Sequence, residues 1–446
     1  MGKGELIMLK LTELTDAYEE GQEIYHKARE NADTVCFRTE EEYGRPLNTI
    51  AQGDNLEYMI YLLREKDMAG KLQLIYVDPP FFSGGKYQAS IRLESEILGK
   101  SSLMKLEAYD DKWSMGMKEY LAMLTARLLA MKELLAETGC IWMHLDWHSV
   151  HYVKLIMDQI FGADNFINEV IWTYKSGGSS KKSFARKHDT LLVYGKSRKH
   201  KFNPLTEKSY NRDFKPYRFK GVEEFCDDTG WYTMVNMKDV WSIDMVGRTS
   251  SERTGYATQK PDRLMERIIA SCSDEGDLCA DFFAGSGTFG AVCEKMNRRW
   301  VMCDNGKLAT AEQIHRIGKL DGGFSVQRAA DAEEAGVCET TGGTESGGIL
   351  NYNVSGELVN LISYSGMVPD GAHKAELEKF MENDSLCLVK CWSAGDIGED
   401  GIYRTDSVSG DRWIVHSMTD AGGITVTGYD VFGNVLRGID EVQEEF

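Results

Sequence analysis

Paired cysteines, long apolar runs and net positive charge are all missing from this 446-residue chain. Its ten cysteines stand singly, several in apolar surroundings (Cys140, Cys272, Cys279, Cys293, Cys303), and no Cys-x-x-Cys occurs. Neither a zinc knuckle nor a disulfide framework is therefore indicated. No apolar run reaches the roughly 20 residues that a membrane span needs. Met1 to Lys10 carries no signal-peptide apolar block with a cleavage site. The expectation is a cytoplasmic chain with no membrane partner. Formal net charge is −19, which speaks against a polyanion as partner of the chain taken as a whole. What is there suits a folded globular protein: 42% hydrophobic and 27% charged residues, and length for two or three domains around a large core.

The charge is unevenly spread. Between Lys175 and Lys220 lie fourteen basic residues, with Lys175, Lys181, Lys182, Arg186 and Lys187 at their head, against only Asp189, Glu207 and Asp213. Aromatics interleave them: Tyr174, Phe184, Tyr210, Phe214, Tyr217 and Phe219. A basic block inside an acidic chain is a local phosphate-binding surface, and aromatics beside it suit contacts to bases. The alternative is a solvated loop.

Two stretches carry chemistry. In the first, Leu74-Ile75-Tyr76-Val77 runs into Asp78-Pro79-Pro80-Phe81. The apolar run reads as a buried parallel strand. Two prolines, lacking N–H groups and fixing φ, must end it and present Asp78 and Phe81 at its C-terminal edge, where open α/β sheets bind ligands. Asp78 and the Pro79 carbonyl can both accept hydrogen bonds from an exocyclic amine, while the Phe81 ring stacks on the heterocycle that bears it. In the second, Asp277-Leu278-Cys279-Ala280-Asp281 leads into Phe282-Phe283-Ala284-Gly285-Ser286-Gly287-Thr288. A helical run follows, and then Arg299-Trp300-Val301-Met302-Cys303-Asp304. This reads as strand, Gly-rich turn, helix, and a strand ending in an acid. Glycines permit close backbone approach to a ligand, and a strand-ending acid suits ribose hydroxyls.

The first stretch resembles motif IV of the amino-methylating DNA methyltransferases, Asp/Asn/Ser-Pro-Pro-aromatic. The second resembles their motif I, Asp-Pro-Phe-x-Gly-x-Gly, with Phe282 in place of proline. Thr254 to Pro261, before a helix from Asp262 to Ser271, resembles their motif X. The order of the motifs is similar to that of the β group, which includes modification subunits of type III restriction systems. The resemblance covers about residues 46–320 and implies an α/β fold. That fold is a circularly permuted seven-stranded doubly wound sheet, cut between its second and third strands, with a basic target-recognition insert at 173–250. It implies S-adenosylmethionine as cofactor, lined by Asp281, Phe283, Ala284, Gly285 and Gly287. Asp304 would take the ribose hydroxyls, Asp54 the adenine side, and Gln259 with Lys260 the methionine end. Asp78, Pro79, Pro80 and Phe81 would act on a flipped adenine N6 amine in double-stranded DNA. A restriction subunit and a second copy of the chain stand as candidate partners. Cytosine N4, or an inactive DNA-binding regulatory module, are the alternatives. The absence of a Pro-Cys dipeptide argues against cytosine C5 methylation.

The remaining expectations are structural. Residues 1–45 form a helical arm. The polar stretch 82–113 is a lid or a disordered insertion. Glu119 to Glu137 is a helix capped by Gly139. His144, His148 and His151 straddle a strand-to-helix junction and are read as strand-edge residues rather than metal ligands, so no metal is expected. Residues 321–350 read as a flexible linker. Residues 351–446 read as a small acidic β-rich domain, with strands at Leu386 to Lys390, Arg412 to His416 and Ile424 to Tyr429.

Overall fold

A computed structural model describes residues 11–440, apart from 96, 112, 114–115, 177–180, 248, 257, 321, 332–346, 356, 372 and 416–423. The chain opens with α1 (Leu11–Glu30), β1 (Val35–Tyr43), β2 (Asn48–Gln52), α2 (Asn55–Glu65) and β3 (Leu72–Val77). It continues through β4 (Lys86–Ser95), β5 (Lys100–Asp110), α3 (Met117–Leu134), β6 (Leu135–Leu145), α4 (Val150–Met157), β7 (Phe166–Thr173) and β8 (His188–Gly195). Next come β9 (Thr206–Tyr210), β10 (Phe225–Cys226), β11 (Trp231–Asn236), β12 (Val240–Ser242), α5 (Asp262–Cys272), β13 (Leu278–Asp281), α6 (Thr288–Lys295), β14 (Arg299–Asp304), α7 (Lys307–Ile317) and β15 (Phe324–Asp331). The C-terminal unit holds β16 (Gly348–Ser355), β17 (Leu358–Gly366), α8 (Lys374–Asp384), β18 (Val389–Ile397), β19 (Tyr403–Thr405), β20 (Trp413–Val415), β21 (Thr425–Asp430) and β22 (Val435–Asp440).

All six residues of β3 are buried. The strand lies between parallel neighbours, β6 on one edge and β13 on the other. From β13 the parallel run continues through β14 and β2 to β15. Beyond β6 the sheet turns antiparallel through β8 and β7. Ile75 and Val77 face one layer, with α2, α3 and α4. Leu74 and Tyr76 face the other, with α5, α6 and α7. A strand apolar on both faces needs such double cover, and each Leu, Ile or Val side chain so buried contributes roughly 1.5–3 kcal/mol.

Because β2, β14, β13, β3 and β6 run parallel, their C-terminal ends share one edge. Each ends in or just before an acid: Asp54, Asp304, Asp281, Asp78 and Asp146.

Several expectations need correction. The stretch 82–113 forms an antiparallel hairpin, β4 with β5, whose Leu93 and Met104 pack into the core of the C-terminal unit. Ser95 Oγ donates to Asp384 Oδ2 at 2.7 Å and Lys100 pairs with Glu376 at 3.0 Å, which ties the hairpin there. The expected linker 321–350 overlaps β15, which pairs with β2 and β1, and the start of β16, while its residues 321 and 332–346 lie outside the described residues. The N-terminal arm is helical in α1, which packs on α3, but β1 belongs to the sheet. Gly139 caps no helix: α3 ends at Leu134 and Gly139 lies within β6. Ser385–Leu388 is a 3₁₀ turn before β18. The C-terminal unit continues the sheet through β1 and β19, and Arg404 of β19 pairs with Glu42 of β1 at 2.8 Å across that seam.

Candidate active site

The prolines stop β3 as its sequence requires, leaving Asp78 at the strand edge with its side chain 17% exposed. Its Oδ2 accepts from the ammonium of Lys260, which arrives from the loop before α5. Its Oδ1 is buried and has no hydrogen-bond partner among the described residues. His144 Nδ1 lies 3.8 Å from that oxygen but is engaged by the Tyr76 hydroxyl at 2.7 Å. On its other side His144 Nε2 meets Asp189 Oδ2 at 3.3 Å, and the Tyr174 hydroxyl donates to Asp189 Oδ1 at 3.0 Å. Burial alone would raise the Asp189 carboxyl, but the His144 and Tyr174 hydrogen bonds and the Lys260 charge hold it below its usual range. The Phe81 ring sits 5.6 Å from the His144 ring and 5.4 Å from the Lys260 ammonium. The turn after Phe81 is held by Asp111, which accepts from the Phe82 and Ser83 N–H groups at 3.1 and 2.6 Å. Phe82 there has φ of 62°, a left-handed conformation that a non-glycine residue keeps only when its surroundings enforce it.

A cavity of about 310 Å³ runs from Asp78 and Pro80 to Asp304 and Asn305. Phe283, Ala284 and Gly285 line it, and Asp54 closes its far side. Gly285 and Gly287 have φ of 49° and 72°, and a Cβ on Gly287 would lie 2.8 Å from Gln313 Cγ, so both positions require glycine. Asp304 Oδ2 accepts from Gly285 N–H at 2.8 Å and Oδ1 from Gly306 N–H at 2.9 Å, so this acid organises the Gly-rich turn while retaining acceptor capacity. Burial raises its carboxyl, opposed by those amides. Asp281 is raised well above the usual carboxylate range, first by burial and then by the charges of Asp78 and Asp304. Its Oδ1 accepts from Phe283 N–H at 2.9 Å. Phe282, where the resemblance has proline, is fully buried, and its carbonyl accepts from Asn55 Nδ2 at 2.6 Å.

Asp54 is the N-cap of α2, accepting from Leu56 and Glu57 N–H at 2.8 and 3.1 Å. It also pairs with Arg127 of α3 at 2.6 Å. Arg127 was not singled out from sequence, because a lone arginine on an apolar helix gives no local signal. Gln259 is not on the cavity wall. Its amide clasps the loop, accepting from Thr254 N–H at 2.9 Å and donating to the Glu252 carbonyl at 2.6 Å.

The basic hairpin loop between β7 and β8 leaves the sheet beside Asp189. Arg186 stacks on Trp147, which follows β6, with its guanidinium 3.8 Å from the ring centroid. Lys187 donates to Ser176 Oγ at 2.7 Å and Lys175 lies 3.8 Å from Asp244. Lys181 and Lys182 are exposed, and Phe184 is fully so. Positions 177–180 of this loop lie outside the described residues. His148 pairs with Asp146 at 2.6 Å, and His151 is exposed on α4.

Residues 72–313, more than half of the chain, match the protein-family profile described as DNA methylase, of the N6/N4 type. The chain belongs to this N6/N4 DNA methylase family. The matched span holds Asp78, Lys260, Gly285 and Asp304, whereas Asp54 and the C-terminal unit lie outside it. Among curated proteins, this chain is 25% identical over 307 residues to the type II methyltransferase M.EcaI of Enterobacter cloacae, covering 55% of this chain and 65% of that one. It is 27% identical over 270 residues to M.HinfI of Haemophilus influenzae, covering 57% and 64%. The chain thus spans less than two thirds of the length of either relative. Among solved structures it is similar to the M1.HpyAVI-SAM complex, at 16% identity and a TM-score of 0.38, covering 60% of this chain and 98% of that one.

Proposed function

We propose that the protein is a DNA methyltransferase that transfers the methyl group of S-adenosylmethionine to the N6 amine of an adenine turned out of the duplex. The observation that carries this reading is Asp78 Oδ1, a buried acceptor unpartnered among the described residues, on a carboxylate that lines the cavity of about 310 Å³. An unsatisfied buried acceptor is costly, and an amine N–H is what satisfies it. The strand order supports the sheet assignment. With β13 and β14 first, β2 third, β3 fourth and β6 fifth, a doubly wound sheet of seven strands closes on the β8 and β7 pair, its chain order circularly permuted.

The residues present fit the cofactor. A glycine-walled cavity bordered by Asp304 and Asp54 suits an adenosyl group with ribose hydroxyls, and the carboxylates near Lys260 suit the amino acid end. When bound, S-adenosylmethionine supplies an electrophilic sulfonium methyl. Asp78 Oδ1 and the Pro79 carbonyl accept hydrogen bonds from the two amine N–H groups, which draws the nitrogen lone pair out of the ring plane, and the one proton the methylated amine must lose leaves by way of the Asp78 carboxylate. These hydrogen bonds strengthen as the nitrogen becomes pyramidal, so they favour the transition state over the ground state. Phe81 stacks on the base. Lys260 pairs with Asp78 Oδ2 and holds the carboxylate in place. The basic loop with Lys175, Lys181, Lys182, Arg186 and Lys187 takes backbone phosphates of double-stranded DNA.

Incubation of duplex DNA with methyl-labelled cofactor, followed by nucleoside analysis, tests the reading. N6-methyladenine is expected. N4-methylcytosine would overturn the base assignment and leave amine methylation standing. Unlabelled DNA across diverse sequences would favour a regulatory module instead.

A further inference from the structure

A second cavity, of about 430 Å³, opens at the seam between the methylase sheet and the C-terminal unit. Its wall is ionic. The loop before α5 contributes Arg253, α6 contributes Lys295, the last turn of α7 contributes His315 and Arg316, the turn after it Lys319, and β18 contributes Lys390. The carboxylates among them are already engaged. Asp262 pairs with Lys295 at 2.6 Å and with Arg316 at 2.7 Å. Glu312 pairs with Lys390 at 2.6 Å, and Glu252 accepts from the Asp262 N–H at 3.2 Å. Five cationic side chains thus meet three carboxylates here, within a chain of net charge −19.

Helix ends account for part of this, since cations are favoured in the last turns of α6 and α7. The two residues so placed, Lys295 and Arg316, are paired, as is Lys390. Arg253 and Lys319 have no ion-pair partner among the described residues. His315 Nδ1 is buried and also lacks a hydrogen-bond partner there. Burial, with the charges of Lys390 and Lys319, lowers the imidazole to about 3, so it is neutral near pH 7 and adds no charge of its own. A buried polar atom beside unpaired cations calls for an anion that accepts from all of them.

We infer that this cavity binds a phosphoryl oxyanion, held by Arg253 and Lys319 with the His315 Nδ1–H as a neutral donor. The guanidinium fork suits two oxygens of a tetrahedral anion, and the Lys390–Glu312 and Arg316–Asp262 pairs form its preset wall. A groove that shares Arg253 and Lys390 continues to Arg92 of β4, so a free phosphate and a phosphodiester of a nucleic-acid backbone can both reach the site. Arg316 also donates to Thr288 Oγ1 at 2.8 Å, and Thr288 lines the methyl-transfer cavity, so the two sites share a wall. The inference does not rest on the methyl-transfer reading.

The test uses the full chain and the double variant Arg253→Ala/Lys319→Ala, whose exposed positions leave the core intact. Inorganic phosphate is titrated by calorimetry at constant ionic strength, and duplex DNA by fluorescence anisotropy across salt concentrations. Saturable phosphate binding that weakens at least tenfold in the variant identifies a free phosphate site. Failing that, a salt slope for DNA that falls by about 1 to 2 in the variant identifies backbone phosphates. Phosphate binding that the variant keeps, or no effect of the variant in either arm, would overturn the assignment.

Discussion

Replacing Asp78 by alanine should separate the chemistry of the site from its stability. The carboxylate has two tasks: Oδ2 neutralises Lys260, and Oδ1 is the open acceptor. Loss of a preorganised group of this kind costs about 2.7–4 kcal/mol in the transition state, a roughly 10²–10³-fold fall in turnover. The second task bears on folding. The Lys260 side chain is 10% exposed, and alanine leaves its ammonium without a counter-charge. Breaking a buried pair from one side costs about 3–5 kcal/mol, and the open cavity beside this one places it near 3. Adding Lys260→Met removes the stranded charge. The double variant should therefore recover most of the lost thermal stability and none of the lost turnover. Thermal unfolding of both variants, labelled methyl transfer to DNA, and cofactor calorimetry on the single variant form the assay. Cofactor binding should survive in Asp78→Ala. A single variant that turns over within about threefold of the wild type would refute the role of Asp78, because the predicted loss is at least ~10²-fold.

Asp304→Ala should weaken cofactor affinity about tenfold or more by calorimetry, since it removes both a ligand group and the anchor of Gly285 and Gly306 N–H. Asp281 offers a pH test. Its folded carboxyl lies above the unfolded value, so the folded state binds the proton more tightly, and stability is lost as pH rises through that interval. Asp281→Asn should accordingly unfold at a higher temperature than the wild type near pH 7, and the gap should close towards pH 4. A gap that widened on acidification would contradict the sign. Deletion of 176–188 should abolish DNA binding in gel-shift assays while cofactor affinity stays unchanged. The intact chain should lose DNA affinity steeply with salt.

The site was legible where local chemistry forces local structure. A strand of β-branched and aromatic residues cut by Pro79 and Pro80 could place Asp78 only at a strand edge, and Arg299 to Asp304 declared its terminal acid in the same way. What stayed hidden depends on partners far away in sequence. In β1, Glu40 and Glu41 fall within the expected helical arm, yet they lie in a strand where Arg328 from β15 pairs with both. In β15, Gln327 and Arg328 disguised a buried strand as part of a linker, because polar residues in a core betray themselves only through their acceptors. The hairpin β4–β5 carries just enough apolar alternation to bury Leu93 and Met104, and the surface that receives them lies almost 300 residues later. The His144–Asp189 link likewise joins β6 to β8 through a side-chain contact that no spacing announces.

The permuted strand order also sets a timetable. β3 gains β6 soon after it is made, but its other neighbour, β13, follows about 200 residues later. At 5–20 residues per second, translation takes roughly 10–40 s to cover that distance. Throughout that interval the nascent chain holds one flank of its most apolar strand open, with unpaired backbone groups of the kind that recruit other strands. Asp78 and its prolines are in place early, yet the Gly-rich turn that completes the cavity, and Lys260 that neutralises Asp78, both arrive late. A ribosome stalled in between would release the carboxylate half of the site attached to an exposed adhesive edge. The arrangement therefore makes this protein more dependent on holdase protection during synthesis than a sheet whose central strands are made in succession.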